Sequence, residues 1–194
     1  MFAHLRPAFI LLVLMTLLTG ILYPLAITGV AQVVLPGVAN GSMIVNDGKV
    51  TIGSTLIGQA WSSDKYFWGR PSAAGDKGYN AQASSGSNLA PTSKALMDRI
   101  KASIDQLQQS TPGKSFPADA VTASGSGLDP EISPEFAKLQ VARVAKARAL
   151  SETQVMALVE AQVSKPVTGV FGEPRVNVLL LNIALDGLSS QPNG

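Results

Sequence analysis

The hydrophobic and polar positions divide the chain into an apolar beginning and a mixed remainder. No charged residue occurs between Arg6 and Asp47, and the run from Pro7 to Leu35 is almost wholly apolar. About 20 apolar residues suffice to cross the hydrocarbon core of a bilayer, and this run is longer. The pattern predicts one transmembrane helix over residues 7–35, which can tilt or extend past the interface.

A cleaved signal peptide is the alternative, because the small residues Gly29 and Ala31 flank one position in the manner of a cleavage site. The apolar core of a signal peptide usually has about 7–15 residues, which is far fewer than this run contains. The length therefore favours an uncleaved anchor.

The basic residues that flank the span predict its direction. Arg6 and His4 precede the span, and the next basic residue is Lys49. By the positive-inside rule, residues 1–6 lie in the cytoplasm and residues 36–194 lie outside the cell. The expected location is the bacterial cytoplasmic (inner) membrane, crossed once.

One face of the predicted span carries small and polar residues. Thr16 and Gly20 are four residues apart, so they lie on the same side, where a partner helix can approach closely. The alternative is a plain anchor whose threonines, such as Thr19, bond to their own backbone. Pro24 is expected to kink the helix.

The remainder predicts an α+β domain with a small sheet and about three helices. Residues 49–59 are prone to form one or two strands. Helices are expected to begin at Thr92 or Ser93, at Ser133 before Pro134, and at Ser151, where a capping box is encoded. In the final apolar run, alternation predicts a strand that places three residues on one face: Val176, Val178 and Leu180.

Between the predicted strands and the first helix of the domain lies a long stretch rich in Gly, Ser, Ala and Asn, which begins with aromatic residues. A loop this long inside a compact domain is uncommon unless it binds something. Aromatic residues and Arg are enriched at binding hot spots. We therefore predict docking residues here, although a core aromatic cluster capped by the arginine is the alternative. The candidates are Tyr66, Phe67, Trp68 and Arg70.

Composition excludes several classes of function. Charged residues make up 14% of the chain and the net charge is +2, so nothing favours nucleic-acid binding. Cysteine is absent, and the one histidine, His4, precedes the span. A Ser-His-Asp triad or a histidine metal site in the domain is thereby excluded. We expect no catalytic centre and no metal site in this chain.

Two glycine-containing stretches approach known nucleotide motifs but do not complete them. Gly113-Lys114-Ser115 lacks the earlier glycine of a P-loop, because position 108 is Gln108. A dinucleotide fingerprint beginning at Gly125 needs a glycine where Pro130 stands. The Gly-Ser run at 124–127 is therefore either a nest of N–H groups that binds an anion or, as we favour, a turn that positions the helix after Ser133.

The chain resembles the KdpC family, the C subunits of the Kdp potassium-transporting ATPase. The resemblance covers nearly the whole chain, and its motifs occur in order: LTGILYPLAITGVAQ, GSTLIGQ, YFWGRPSAAG, YNAQASSGSNLAPTS, VTASGSGLDPEISP, QVARVAKAR and GEPRVNVLLLNIALD. It implies an accessory subunit in a complex with a channel-like potassium subunit, a P-type ATPase subunit and a small single-span peptide. This chain lacks the DKTGT motif of the motor subunit and the TVGYG type of carbonyl filter.

The resemblance also implies a catalytic chaperone that raises the ATP affinity of the motor subunit, with ATP as a cofactor through the complex. The nucleotide contacts would then be Ser124, Gly125, Ser126, Gly127 and Gln140. The predicted topology opposes this role, because ATP is cytoplasmic and the domain is expected outside. A domain that caps the external potassium entrance and stabilises the complex is compatible with it.

Two other classes of protein remain open at this point. One is a single-span binding or assembly protein unrelated to potassium. The other is a secreted enzyme that signal peptidase releases, with a mature N-terminus near Gln32.

Overall fold

A computed structural model describes residues 4–46, 51–166, 169 and 171–189. The chain divides into two compact units, Met1–Ser54 and Thr55–Gly194. In agreement with the prediction, a long apolar N-terminal helix is followed by a small domain of mixed helices and short strands.

The first unit begins with the helix expected from the apolar run. Helices α1 (Leu5–Leu17) and α2 (Tyr23–Val34) are joined by a π-helical turn, Leu18–Leu22, into one continuous helix. It spans 30 residues, from Leu5 to Val34, and none of its most apolar stretch is buried. Among the described residues, it is the one helix long and apolar enough to cross a membrane.

The π-helical turn ends at Leu22, two residues before Pro24. Proline has no N–H to donate, and widened turns of this kind commonly absorb such an irregularity within a helix. Thr19 Oγ1 donates to the carbonyl of Met15 at 2.7 Å, as expected of a threonine that bonds to its own helix. Thr16 and Gly20 are exposed, and a Cβ added at Gly20 would have no neighbour within 4 Å. A docking role for their face stays a prediction.

A short turn and a hairpin complete the first unit. Helix α3 (Pro36–Ala39) leads into strand β1 (Met43–Val45), which pairs antiparallel with β2 (Thr51–Ser54). The register places Met43 opposite Ser54 and Val45 opposite Thr51, and it shifts within the pairing. Residues 47–50 of the hairpin lie outside the described part of the chain.

The second unit packs helices against a small antiparallel sheet. Its helices and strands are α4 (Lys94–Ser110), α5 (Ala118–Val121), β3 (Glu131–Ile132), α6 (Pro134–Arg148), α7 (Glu152–Ala161), β4 (Val163–Ser164), β5 (Arg175–Asn177) and α8 (Val178–Ser189). The sheet has the strand order β3–β5–β4, with each neighbouring pair antiparallel.

The caps encoded in the sequence explain where α6 and α7 begin. The Ser133 hydroxyl accepts a hydrogen bond from the N–H of Phe136, and Pro134 occupies the first helical position. Ser151 and Gln154 form both halves of the predicted capping box. Ser93 is the N-cap of α4, although its side chain makes no capping bond.

Helix α6 lies at the centre of the hydrophobic core. The buried side chains of α6 meet those of α7, β5 and α8, and the core also includes Phe67 from the long irregular segment. Helix α4 contributes one buried apolar side chain, Leu107, whereas Met97 on the same helix is 60% exposed. The core therefore depends mainly on the C-terminal half of the chain.

The prediction of a strand through Val176, Val178 and Leu180 is wrong beyond Asn177. Strand β5 ends there, and α8 begins at Val178. The Asn177 side chain accepts a hydrogen bond from the N–H of Leu180 at 3.1 Å, which is the geometry of an N-cap. The leucines and alanine that follow are strong helix formers, so the cap prevails over the β-prone alternation.

Candidate functional site

The aromatic segment, residues 61–70, has no regular secondary structure, yet it is held firmly in place. Phe67 is fully buried in the core. The Asn182 side chain of α8 accepts from the N–H of Phe67 at 2.8 Å and donates to its carbonyl at 3.0 Å. The side-chain amide of Asn182 thus makes the two backbone hydrogen bonds that a neighbouring strand would make in a sheet.

The next residue of the segment is held in the same way by α6. Trp68 N–H donates to Gln140 Oε1 at 2.7 Å, and Gln140 Nε2 donates to the Trp68 carbonyl at 3.1 Å. Gln140 is only 3% exposed. Two consecutive residues, Phe67 and Trp68, are therefore anchored through their backbone groups by side-chain amides from different helices, and we call Gln140 and Asn182 the amide clamp.

Arg143 lies one turn after Gln140 and extends the contacts of the clamp. Its guanidinium donates to the carbonyls of Asp64 and Tyr66 and to Gln140 Oε1, at 2.8, 3.1 and 2.7 Å. It also lies 3.7 Å from the ring centroid of Trp68, within the range of a cation–π interaction. Burial lowers the pKa of Arg143 to about 10, partly offset by the Asp64 carboxylate, so the side chain remains charged near neutral pH.

The middle of the aromatic segment is held by a second arginine. Arg148 donates to the carbonyl of Lys65 at 2.6 Å and forms an ion pair with Asp186 at 2.7 Å. Its guanidinium lies 4.7 Å from the ring centroid of Tyr66, whose hydroxyl donates to Asp186 at 3.3 Å. Tyr66 is therefore fixed between α6 and α8.

Arg70, at the end of the segment, faces the start of strand β3. Its Nη1 donates to Asp129 at 3.0 Å, whereas its buried Nε has no hydrogen-bond partner among the described residues. The Tyr79 hydroxyl donates to the Arg70 carbonyl at 2.6 Å. Burial, together with the Asp129 carboxylate and against the effect of Arg70, raises the pKa of Tyr79 to about 12.

The glycine loop, residues 124–127, is joined to the other part of the long irregular segment. The Ser126 carbonyl accepts from the N–H of Ser85 and from the hydroxyl of Ser84, both at 3.0 Å. The Gly127 carbonyl accepts from the Ser72 hydroxyl at 2.6 Å. Carbonyl groups of the glycine loop thus hold the long irregular segment in place by accepting its hydrogen bonds.

Glycine is required at one position of this loop. Gly127 has a φ of +67°, and an added Cβ would lie 2.6 Å from the Ser85 carbonyl oxygen and 2.7 Å from the Ala74 nitrogen. An added Cβ at Gly125 would have no neighbour within 4 Å. Of these two glycines, only Gly127 is needed for the close approach of the glycine loop to the long irregular segment.

Open cavities border both regions. One of 420 Å³ is lined by Ser124, Gly125 and Ser126 together with Arg70 and neighbouring apolar residues. Another, of 680 Å³, lies between α4, α6 and the aromatic segment. The second cavity includes both tryptophans, Trp61 and Trp68, and its lining also carries charged side chains.

The comparison with known families gives these features a context. Residues 5–187 match the family model described as KdpC: K+-transporting ATPase, c chain. The chain belongs to the KdpC family. Among curated KdpC proteins, a relative from Caulobacter vibrioides (strain NA1000 / CB15N) is 54% identical over the full length of both chains. A relative from Rhodopseudomonas palustris (strain BisB5) is 56% identical over 96% of this chain and 98% of its own. One from Allorhizobium ampelinum is 58% identical over 96% and 97%.

The KdpC family resemblance seen in the sequence is therefore confirmed. The candidate docking residues differ from one another in how deeply their side chains are buried. Phe67 is completely buried, so its side chain belongs to the core and presents no surface to a partner. Tyr66, Trp68 and Arg70 are partly exposed. For these three residues, docking stays a prediction.

The candidate nucleotide contacts implied by the family resemblance do not all border one of the described cavities. Ser124, Gly125 and Ser126 line the 420 Å³ cavity, whereas Gly127 and Gln140 border none of the described cavities. The Gln140 amide is engaged by Trp68 and Arg143. Nucleotide binding stays a prediction, and the burial of Gln140 opposes a contact from that residue.

Sequence reasoning did not identify three residues as partners of the aromatic segment. Asn182 bonds to Phe67, whereas Tyr79 and Asp129 bond to Arg70. The signal for Asn182 was available, because a lone asparagine inside the apolar run LLLNIAL requires a hydrogen-bond partner when buried. No local pattern pointed to the partner, since Phe67 lies 115 residues earlier.

Proposed function

We propose that this chain is the accessory, non-phosphorylated subunit of an ATP-driven, high-affinity potassium uptake complex, and that it supports assembly and stability of that complex. The supporting observation is full-length similarity to proteins named "Potassium-transporting ATPase KdpC subunit". The absence of DKTGT and TVGYG sequences leaves phosphorylation and ion selection to partners. Those partners are a channel-like subunit, a P-type ATPase subunit and a small single-span subunit.

The proposed arrangement places the helix Leu5–Val34 across the cytoplasmic membrane and the domain outside. It is supported by the length and exposure of the helix and by the position of Arg6 before it. A lipid-facing helix needs no core of its own, since its apolar side chains are covered by acyl chains. An outer domain is then in a position to cap the external potassium entrance.

A rigid docking surface supports the assembly role. The amide clamp, Arg143 and Arg148 fix the aromatic segment at several points, so Tyr66 and Trp68 lose little conformational freedom when a partner binds. Prior ordering of this kind lowers the entropic cost of association. The partly exposed aromatic and arginine side chains are of the type that dominates binding energy at interfaces.

A second candidate role, raised ATP affinity of the motor subunit, is favoured by the cavity beside Ser124–Ser126 and Arg70. Two observations weigh against it. The loop carbonyls of Ser126 and Gly127 hold the neighbouring segment, and Arg70 already pairs with Asp129. An outer location would also separate the loop from cytoplasmic ATP.

Purification from membranes tests the accessory role. A tagged chain, extracted in mild detergent, is expected to bring down the two large subunits in fixed stoichiometry. Complexes made without the chain should show reduced yield and reduced potassium-stimulated ATPase activity. Unchanged assembly and activity in its absence would refute the role.

Nucleotide titration separates the two candidate roles. An assembly role predicts that the KM for ATP of intact complexes is unchanged by Ser124→Ala. A chaperone role predicts a raised KM with the same variant. Ser133→Ala, which removes a helix cap outside that cavity, controls for general destabilisation.

Protease treatment of sealed, right-side-out vesicles tests the orientation. The domain is expected to be cut while a cytoplasmic control protein survives. Protection of the domain, with an external control protein digested, would place it inside.

A further inference from the structure

The apolar, uncharged surface does not stop at the end of the membrane-length helix. Beyond Val34, residues 35–46 contain no charged residue. Four of its large apolar side chains stand exposed, Leu35 at 56%, Val38 at 62%, Met43 at 52% and Val45 at 51%, whereas Ile44 is partly buried. These values fall within the range of the large apolar side chains of the helix itself, from 38% at Val13 to 83% at Val33. We call residues 35–46 the elbow.

The backbone of the elbow satisfies its own hydrogen bonds where it turns. The N–H groups of Ala39, Asn40, Gly41 and Ser42 donate to carbonyls between Leu35 and Val38, at 2.9 to 3.1 Å. The Ser54 hydroxyl of strand β2 donates to the Gly41 carbonyl at 2.7 Å. A backbone that closes its own bonds is suited to a region poor in water, where each unpaired group is costly.

The polar side chains at the turn are paired with one another. Gln32, in the last turns of α2, and Asn40, just after α3, exchange two amide hydrogen bonds, at 3.3 and 3.1 Å. Asn40 also donates to the Pro36 carbonyl at 2.7 Å. Exposed amides in water gain little from such pairing, whereas amides at a lipid interface avoid a desolvation penalty by it.

The length of the helix places this turn at a definite depth. The 30 residues from Leu5 to Val34 rise about 45 Å along the helix axis at about 1.5 Å per residue. A bilayer measures about 40–45 Å when both headgroup regions are included. With the N-terminal end in one headgroup region, the C-terminal end reaches the opposite headgroup region, where the elbow begins.

We propose that the elbow is an interfacial lipid-binding element that lies in the headgroup region at the C-terminal end of the span, with Val38, Met43 and Val45 against the lipid. The occupant is the bilayer rather than a protein, because the exposed apolar surface continues directly from the lipid-facing helix. The inference rests on the proposed insertion of that helix. In this arrangement, the chain leaves the membrane at a turn that contacts the lipid headgroups.

The absence of cysteine makes a direct depth measurement simple. Single cysteines replace Val38 and Met43 in the full chain, and each is labelled with the polarity-sensitive fluorophore NBD. The chains are reconstituted in phosphatidylethanolamine–phosphatidylglycerol vesicles that carry a nitroxide either on the headgroup or at carbon 12 of the acyl chain. Leu14→Cys reports the middle of the span, and Ala157→Cys, exposed on α7, reports a position outside it.

Headgroup nitroxide is expected to quench the Val38 and Met43 labels at least twofold more than acyl-chain nitroxide, with the reverse order at Leu14 and little quenching at Ala157. Absence of quenching at Val38 and Met43, with normal deep quenching at Leu14, would overturn the elbow proposal while leaving the anchor intact. Absence of quenching at Leu14 would overturn the anchor as well.

Assembly with the partner subunits provides a second measurement. The proposal predicts that headgroup quenching of the Val38 and Met43 labels persists in the reconstituted complex. Loss of that quenching on assembly, while Leu14 stays deeply quenched, would assign the surface to a protein partner instead. As a further test, Asn40→Leu, which removes the amide pair, is expected to broaden the depth distribution of the Val38 label; an unchanged distribution would show that the pair does not hold the elbow at its depth.

Discussion

The aromatic segment and the glycine loop are both irregular, and they are fixed by opposite means. The aromatic segment is held by side chains that reach it from α6 and α8, above all the amide clamp of Gln140 and Asn182. The glycine loop is held by its own carbonyls, and it needs the absence of a side chain at Gly127. The first region depends on which distant side chains are present, and the second depends on how closely two backbones approach.

The largest expected effect comes from the deepest part of the clamp. Asn182→Leu keeps the volume but leaves the N–H and carbonyl of Phe67 unpaired in the core, with a loss of about 3–5 kcal/mol in unfolding free energy. Urea unfolding of the full chain in detergent, followed by the fluorescence of Trp61 and Trp68, measures it. Gln108→Leu, at an exposed amide on α4, is the matched control and should change stability by under about 0.5 kcal/mol. A small effect of N182L would mean that the amide clamp does not order the segment.

The corresponding change in the glycine loop is expected to rank second. Gly127→Ala places a methyl group against the Ser85 carbonyl and strains a left-handed backbone, so a loss of about 2–4 kcal/mol follows. Gly125→Ala, two residues away in open space, should cost at most a few tenths of a kcal/mol. Equal melting temperatures for the two variants would contradict the backbone-contact explanation.

The outer half of the clamp should matter less than the inner half. Gln140→Leu unpairs the backbone groups of Trp68, but these are only partly buried and water can replace the amide, so the expected loss is about 1–3 kcal/mol. The ratio of the losses for Q140L and N182L, measured under the same conditions, sharpens the comparison. A larger loss for Gln140→Leu would point to Arg143, which loses a partner in that variant, as the dominant contact.

The smallest effect concerns Tyr79, whose hydroxyl donates to Arg70 of the aromatic segment and whose N–H donates to Ser72, which in turn donates to the glycine loop. Tyr79→Phe removes its hydrogen bond to the Arg70 carbonyl and is expected to cost about 1 kcal/mol near neutral pH. Because the folded-state pKa is raised to about 12, the folded chain retains the phenolic proton that the unfolded chain releases above pH 10. Stability contributed by Tyr79 is therefore complete below pH 10 and is lost between about pH 10 and 12.

Stability curves of wild type and Tyr79→Phe, recorded from pH 8 to 12, test that dependence. The difference between the two proteins should shrink as the pH rises above 10. Parallel curves across this range would show that Tyr79 does not titrate differently in the folded chain. The comparison with Tyr79→Phe cancels the opposite contribution of Arg143, whose lowered pKa is shared by both proteins.

The parts of the fold that could be predicted are encoded by residues that lie close together in the sequence. Ser133 with Pro134, and Ser151 with Gln154, specify helix starts within four residues, because a cap satisfies N–H groups close to it in sequence. The strand predicted through Val178 and Leu180 was wrong because alternation over a short apolar run is also compatible with a buried helix. Asn177 decided between the two by capping α8.

The candidate site was much less predictable. Tyr66 to Arg70 were singled out by composition, but nothing local distinguished the buried Phe67 from its partly exposed neighbours. The clamp joins residues that are 72 and 115 positions apart. Likewise, the glycine loop was interpreted from Gly and Ser alone, whereas its contacts with Ser72, Ser84 and Ser85 arise from the path of a distant segment.

The sequence by itself determined the membrane-length helix, the starts of α6 and α7, and the family, since each depends on residue types or spacing along the chain. Only the tertiary structure decided that Gln140 and Asn182 serve the backbone of Phe67 and Trp68, and that Gly127 must remain bare. The physical reason is that hydrophobic length and helix caps act locally, whereas the satisfaction of buried polar groups depends on what the fold brings next to them.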